Sequence, residues 1–91
     1  FSLRKYASFF FFTQYLRILF MRDSRIDILA SNIRAERHRK RVSQDALCSK
    51  INISTRSLSA IENGWQKPSV FVVYDLAKAL EIDINVLLKG L

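Results

Sequence analysis

Beyond Asp23, apolar residues recur at three- and four-residue steps, the spacing that lines one face of an α-helix. Ile26, Leu29, Ala30, Ile33 and Arg37 form one such stripe and predict a helix from Ser24 to about Lys40. Ser43 suits an N-cap, because its hydroxyl can accept a backbone N–H of the next turn. A second helix then runs from Gln44 to about Lys50, with Leu47 and Ile51 inward. Ser54 caps a third, Thr55 to about Asn63, with Leu58 and Ile61 inward and Gly64 as its stop. Asn52 falls at the reversal between the second and third, where asparagine would tolerate left-handed backbone. Pro68-Ser69 opens a fourth helix, about Val70 to Leu80, which places Val73, Leu76, Ala77 and Leu80 on one face. Asp83 caps a last helix, Ile84 to about Lys89, with apolar bulk from Val86, Leu87 and Leu88. Five helices with connections of a few residues predict an all-α domain over residues 23–91.

Residues 1–22 follow another pattern and form a separate aromatic, basic extension. They hold eight of the eleven aromatic residues and four Lys/Arg with no acid. The uncharged run from Tyr6 to Leu16 is 11 residues long, against the roughly 20 that a membrane-spanning helix needs. A basic start before an apolar run also suits a signal peptide, but no small-residue cleavage site follows. Two readings remain, and they are compatible. Phe9, Phe12, Leu16, Leu19 and Phe20 recur at helical spacing, as expected of a helix buried against the domain or a second copy; alternatively, Met21 is the start and residues 1–20 an upstream extension.

Composition narrows the function classes. Of 91 residues, 49% are hydrophobic, too many for a disordered basic tail. A net charge of +7 points to a polyanionic partner, nucleic acid or an anionic membrane face. Residues 1–22 contribute +4 of this and residues 23–63 contribute +3. One cysteine and one histidine leave no Cys-rich metal site or zinc finger, and two glycines leave no phosphate-cradling loop. Glu62, Asp45 and Asp75 fall on different helices, so no catalytic set assembles; neither an enzyme nor a cofactor is expected.

The second and third helices carry the chemistry. Each is about two turns long, and the short link predicts a crossing near a right angle, the helix-turn-helix geometry. The third would present Thr55, Arg56, Ser57, Ser59 and Ala60 outward, small or polar side chains able to approach base edges in a major groove. A protein-packing surface would more often show Leu, Phe or Tyr there.

The run Val42-Ser43-Gln44-Asp45-Ala46-Leu47, then Ile51 through Gly64, resembles the Cro/phage-repressor (XRE-like) helix-turn-helix family of transcriptional regulators. Pro68-Ser69, Leu76 through Ile82 and Leu87-Leu88 continue in that family's order, so the resemblance covers about residues 26–91. Repressors of this family lay the second helix of the motif in the major groove, with its first residues at the base edges. The resemblance implies a five-helix repressor-like domain that binds double-stranded DNA. It assigns base reading to Thr55, Arg56 and Ala60, with Ser59 beside them on the same face; Arg56 could fork onto a guanine and Ala60 offer a methyl contact. It assigns phosphate contacts to Gln44, Asn63, Trp65 and Lys67, and a structural ion pair to Arg37 and Glu62. Asn52 departs from the family's usual glycine, Cys48 from its usual alanine, and residues 1–22 have no counterpart in the pattern.

Each assignment has a plainer rival. Cys48 reads as a packed small residue in place of a redox sensor, His38 as a solvated helix end, and Trp65 as a core cap if not a DNA contact. The basic run Arg34 to Arg41 is either a solvated face or an addition to the phosphate-facing field. The sequence thus points to a cytoplasmic, bacterial or phage repressor-type regulator that binds a palindromic operator as a homodimer, without metal or membrane contact. The alternative is a protein- or membrane-interaction module in which residues 1–22 bind the partner and the helix-turn-helix is scaffold.

Overall fold

The computed structural model describes residues 23–91. The helix expected within residues 1–22, and the division of the chain at residue 22, lie outside the described residues. Five helices follow in order: α1 (Ser24–Arg39), α2 (Gln44–Lys50), α3 (Thr55–Glu62), α4 (Val70–Ala79) and α5 (Ile84–Leu87), with no strand among the described residues.

Every helix starts at a side-chain cap. Asp23, Ser43, Ser54, Ser69 and Asp83 each accept a backbone N–H of the following turn, at 2.8–3.2 Å. Each cap satisfies one of the donors that a helix start otherwise leaves unpaired.

Three helix ends share one geometry. Past α1, the N–H of Arg41 donates to the carbonyl of His38 and that of Val42 to Arg37. Past α3, Gly64 donates to Ile61 and Trp65 to Ala60; past α4, Glu81 donates to Lys78 and Ile82 to Ala77. This is the Schellman motif, which places the first residue beyond the cap in left-handed backbone. The φ angles there are +56° at Arg41, +73° at Gly64 and +57° at Glu81. Asn52 does not have positive φ, contrary to expectation. The reason is that α2 ends differently: Ile51 closes it in extended backbone, at φ −130° and ψ 160°. The chain reverses there without a left-handed residue.

The last helix is shorter than its periodicity predicts, ending at Leu87 instead of about Lys89. The Asn32 side-chain amide in α1 donates to the carbonyls of both Leu87 and Lys89, at 2.9 and 2.8 Å. Gly90 then turns at φ +87°, where an added Cβ would sit 3.3 Å from the Ile28 Cγ2. Of the three apolar residues expected to fill the core from this end, only Leu87 is buried; Val86 and Leu88 remain 38% and 39% exposed.

The core takes at least one large side chain from each helix: Ile33, Leu47, Leu58 with Ile61, Leu76, and Leu87. Burial of each is worth about 1.5–3 kcal/mol relative to exposure. Helix α1 packs on α3 and α5, α2 on α3 and α4, and α4 on α5. The third helix is thus held from two sides while its remaining face stays open.

Candidate nucleic-acid interface

Helix α3 buries Leu58 and Ile61 and turns a polar face outward. Thr55 and Arg56 are exposed at its first turn; Ser59 and Ala60 are half-buried one turn on. Arg56 carries a positive charge at an otherwise uncharged stretch of the face. The helix carries no acid in its first turn and places its one acid, Glu62, in the interior.

Glu62 fixes the position of that helix. Its carboxylate receives a forked contact from Arg37 of α1, Nε to Oε2 at 2.7 Å and Nη2 to Oε1 at 2.9 Å. The Glu62 side chain is 2% exposed and that of Arg37 11%, so solvent hardly screens the pair. Arg37 spends a further N–H on the Val42 carbonyl, 2.9 Å away. Gln44, the first residue of α2, donates from Nε2 to Glu62 Oε1 at 3.2 Å. Arg34 donates from Nη1 to the Glu62 backbone carbonyl at 3.0 Å, closing the end of α3. One glutamate therefore ties α1 and α2 to the end of α3.

The side chains assigned to phosphate contact are spread over the structure. Gln44 is half-buried against Glu62. Asn63 is exposed, and its amide donates back to the Ser59 carbonyl at 2.8 Å. Trp65 is 68% exposed, so it does not cap the core. Lys67 is exposed and lies in the loop beside Asp23 at the start of α1, where the two line a cleft with Ile26, Leu29 and Pro68.

The basic run at the end of α1 divides in its roles. Arg34 and Arg37 hold α3, and Arg39 pairs with Glu36 at 2.6 Å, while His38, Lys40 and Arg41 are exposed. Cys48 is half-buried in α2, and burial pushes its thiol pKa up. A raised pKa keeps the thiol protonated and slow to react.

Sequence reasoning missed the contacts that run between helices: Arg34 and Gln44 on Glu62, Asn32 on the end of α5, and Thr55 on Asp45, Oγ1 to Oδ1 at 2.9 Å. No local pattern announces such pairs, because their partners lie ten or more residues away in the chain.

No helix among the described residues is long and apolar enough to cross a membrane. Among the same residues, no group of three or more His, Cys, Asp or Glu could hold a metal ion.

Comparison with known proteins places this arrangement. No curated protein matches the chain. Among solved structures, it resembles the restriction–modification controller protein C.AhdI from Aeromonas hydrophila, with a TM-score of 0.68 at 23% identity. That match covers 71% of this chain and 98% of the controller, and at such identity it speaks to the fold. A helix-turn-helix family model matches residues 33–87, more than half of the chain and all of α2, α3 and α4. With its helix order, its buried anchor and its open third helix, the chain belongs to the helix-turn-helix family of the XRE (Cro/repressor) type, a family of DNA-binding regulators.

Proposed function

We propose that the protein is a sequence-specific transcriptional regulator of the small repressor type, which binds a palindromic operator as a homodimer. The observation that carries this reading is the polar face of α3, with Thr55, Arg56, Ser59 and Ala60 clear of the core. In this reading Arg56 reads a guanine through O6 and N7, and Ala60 meets a thymine methyl. Gln44, Asn63, Trp65 and Lys67 contact the sugar-phosphate backbone and set the register without reading sequence. The chain acts in the cytoplasm, where its DNA is, and binding itself supplies the regulation. Membership of the family supports this reading; the controller-like fold is compatible with it.

One domain reaches few base pairs, so useful specificity calls for two copies on two half-sites. Helix α4 offers a surface for the second copy. Val70, Phe71 and Tyr74 share one side of it and are 68%, 77% and 55% exposed. Asp75 and Lys78 continue the exposed side with opposite charges. A twofold axis across α4 buries the apolar patch against its own copy.

The test is binding-site selection from random duplex DNA, followed by titration of the selected site across salt concentrations. The wild-type chain should enrich an inverted repeat. Arg56→Ala should weaken binding to it by about 1–3 kcal/mol and relax one base position per half-site. Unchanged affinity and base preference in Arg56→Ala would remove Arg56 from the reading face.

A further inference from the structure

Thr55 opens the recognition helix, and its hydroxyl is already engaged. Oγ1 lies 2.9 Å from Oδ1 of Asp45 in α2, although both residues are exposed and the core does not force them together. A carboxylate has no hydrogen to give, so the single hydroxyl proton of Thr55 must point at Asp45. What Thr55 has left for a ligand is lone-pair density on Oγ1 and its methyl group.

We propose that Asp45 is a specificity-determining positioning residue: by taking the Thr55 proton, it makes Thr55 an acceptor-only reader of the operator. The base edge facing Thr55 then carries an exocyclic amino group, the N4 of cytosine or the N6 of adenine. Guanine presents only N7 and O6 acceptors in the major groove, and thymine presents O4; both set a lone pair against a lone pair at this position. A threonine free to rotate its hydroxyl would accept or donate and would tolerate any of the four. The inference rests on the DNA-reading function proposed above and adds to it the chemistry of one base position.

Asp45 also has a second, separable effect. A carboxylate near phosphates opposes binding to every sequence alike, so its removal should raise affinity uniformly. Asp45→Asn removes the charge and keeps an acceptor, but its amide can also donate to Thr55, so it should hold only part of the preference. Asp45→Ala removes both.

Selections from the same random duplex library are run with wild type, Asp45→Asn, Asp45→Ala and Thr55→Val, each full chain first checked for an unchanged melting profile. Wild type should prefer cytosine or adenine at one position of each half-site, and Asp45→Asn should keep that preference in weakened form. Asp45→Ala should lose about fivefold of its discrimination against guanine and thymine there, the usual net worth of a single hydrogen bond. Thr55→Val should lose the preference too, and adding Asp45→Ala to it should change nothing more at that position. The proposal is overturned if Asp45→Ala keeps the wild-type preference, or if Thr55→Val does. A wild-type chain that enriches no sequence would instead overturn the DNA-reading function itself, and this inference with it.

Discussion

Glu62 takes a charge into the interior and leaves none of it unanswered: Arg37 forks onto both oxygens, and Gln44 adds a third donor. Truncating one partner of such a pair strands the other away from water. Glu62→Ala or Arg37→Ala should therefore destabilise the domain by about 3–5 kcal/mol in urea unfolding. A volume-matched apolar pair, Arg37→Met with Glu62→Leu, should recover most of that loss, because desolvation had offset much of the pair's attraction. Recovery in the double variant would distinguish a structural anchor from a group needed for binding as such. Asp23 is the opposite kind of acid, half-exposed at the surface at the start of α1. The Arg25 side chain, hydrogen-bonded at 2.6–3.0 Å, holds its carboxyl at about 2, well below the ordinary value of 3.8. The folded value is the lower one, so its contribution to α1 is complete above pH 3.8 and fades as pH falls towards 2. An NMR titration should find the Asp23 midpoint near 2, and Arg25→Ala should move it upward.

At the level of helices, the starts were legible in the chain and the ends were less so. Ser43, Ser54, Ser69 and Asp83 cap because a short polar side chain next to an apolar periodic run meets a local need, and local needs show in sequence. The left-handed residues at Arg41 and Glu81 carry no such mark. They adopt that backbone because Val42 and Ile82, the next residues, pack against the core and draw the chain round. Asn52, the residue type best suited to such a turn, sits where the reversal is extended instead. Thermal unfolding of two variants checks these origins. Glu81→Gly should stabilise by about 0.5–1 kcal/mol, since glycine reaches positive φ without the Cβ penalty. Ser54→Ala should cost about 1 kcal/mol, the usual loss of an N-cap. The outward face of α3 could be read by subtraction, as what remains once Leu58 and Ile61 turn inward. Its cross-links to Asp45, Gln44 and Arg34 could not, because helical periodicity says which way a residue points and not what it meets.

For the molecule as a whole, the exposed aromatic side of α4 matters most. Isolated apolar residues on a surface need no explanation, but Val70, Phe71 and Tyr74 lie together on a short helix. Phe71→Asp should convert the proposed dimer to a monomer in sedimentation equilibrium while leaving the helical circular-dichroism signal unchanged, because Phe71 is outside the core. The monomer should bind a half-site weakly and lose the preference for a correctly spaced inverted repeat. A dimer that survives this change would move the interface elsewhere on the chain.

The arrangement around Glu62 has a consequence for how such a protein can diversify. The glutamate is fastened to two other helices from within, while Thr55 and Arg56 are exposed at the start of α3. Mutations that retarget the protein to new DNA therefore need not pass through unfolded intermediates. A library randomised at Thr55 and Arg56 should yield mostly folded members, and lineages of this domain can drift in specificity while conserving their architecture.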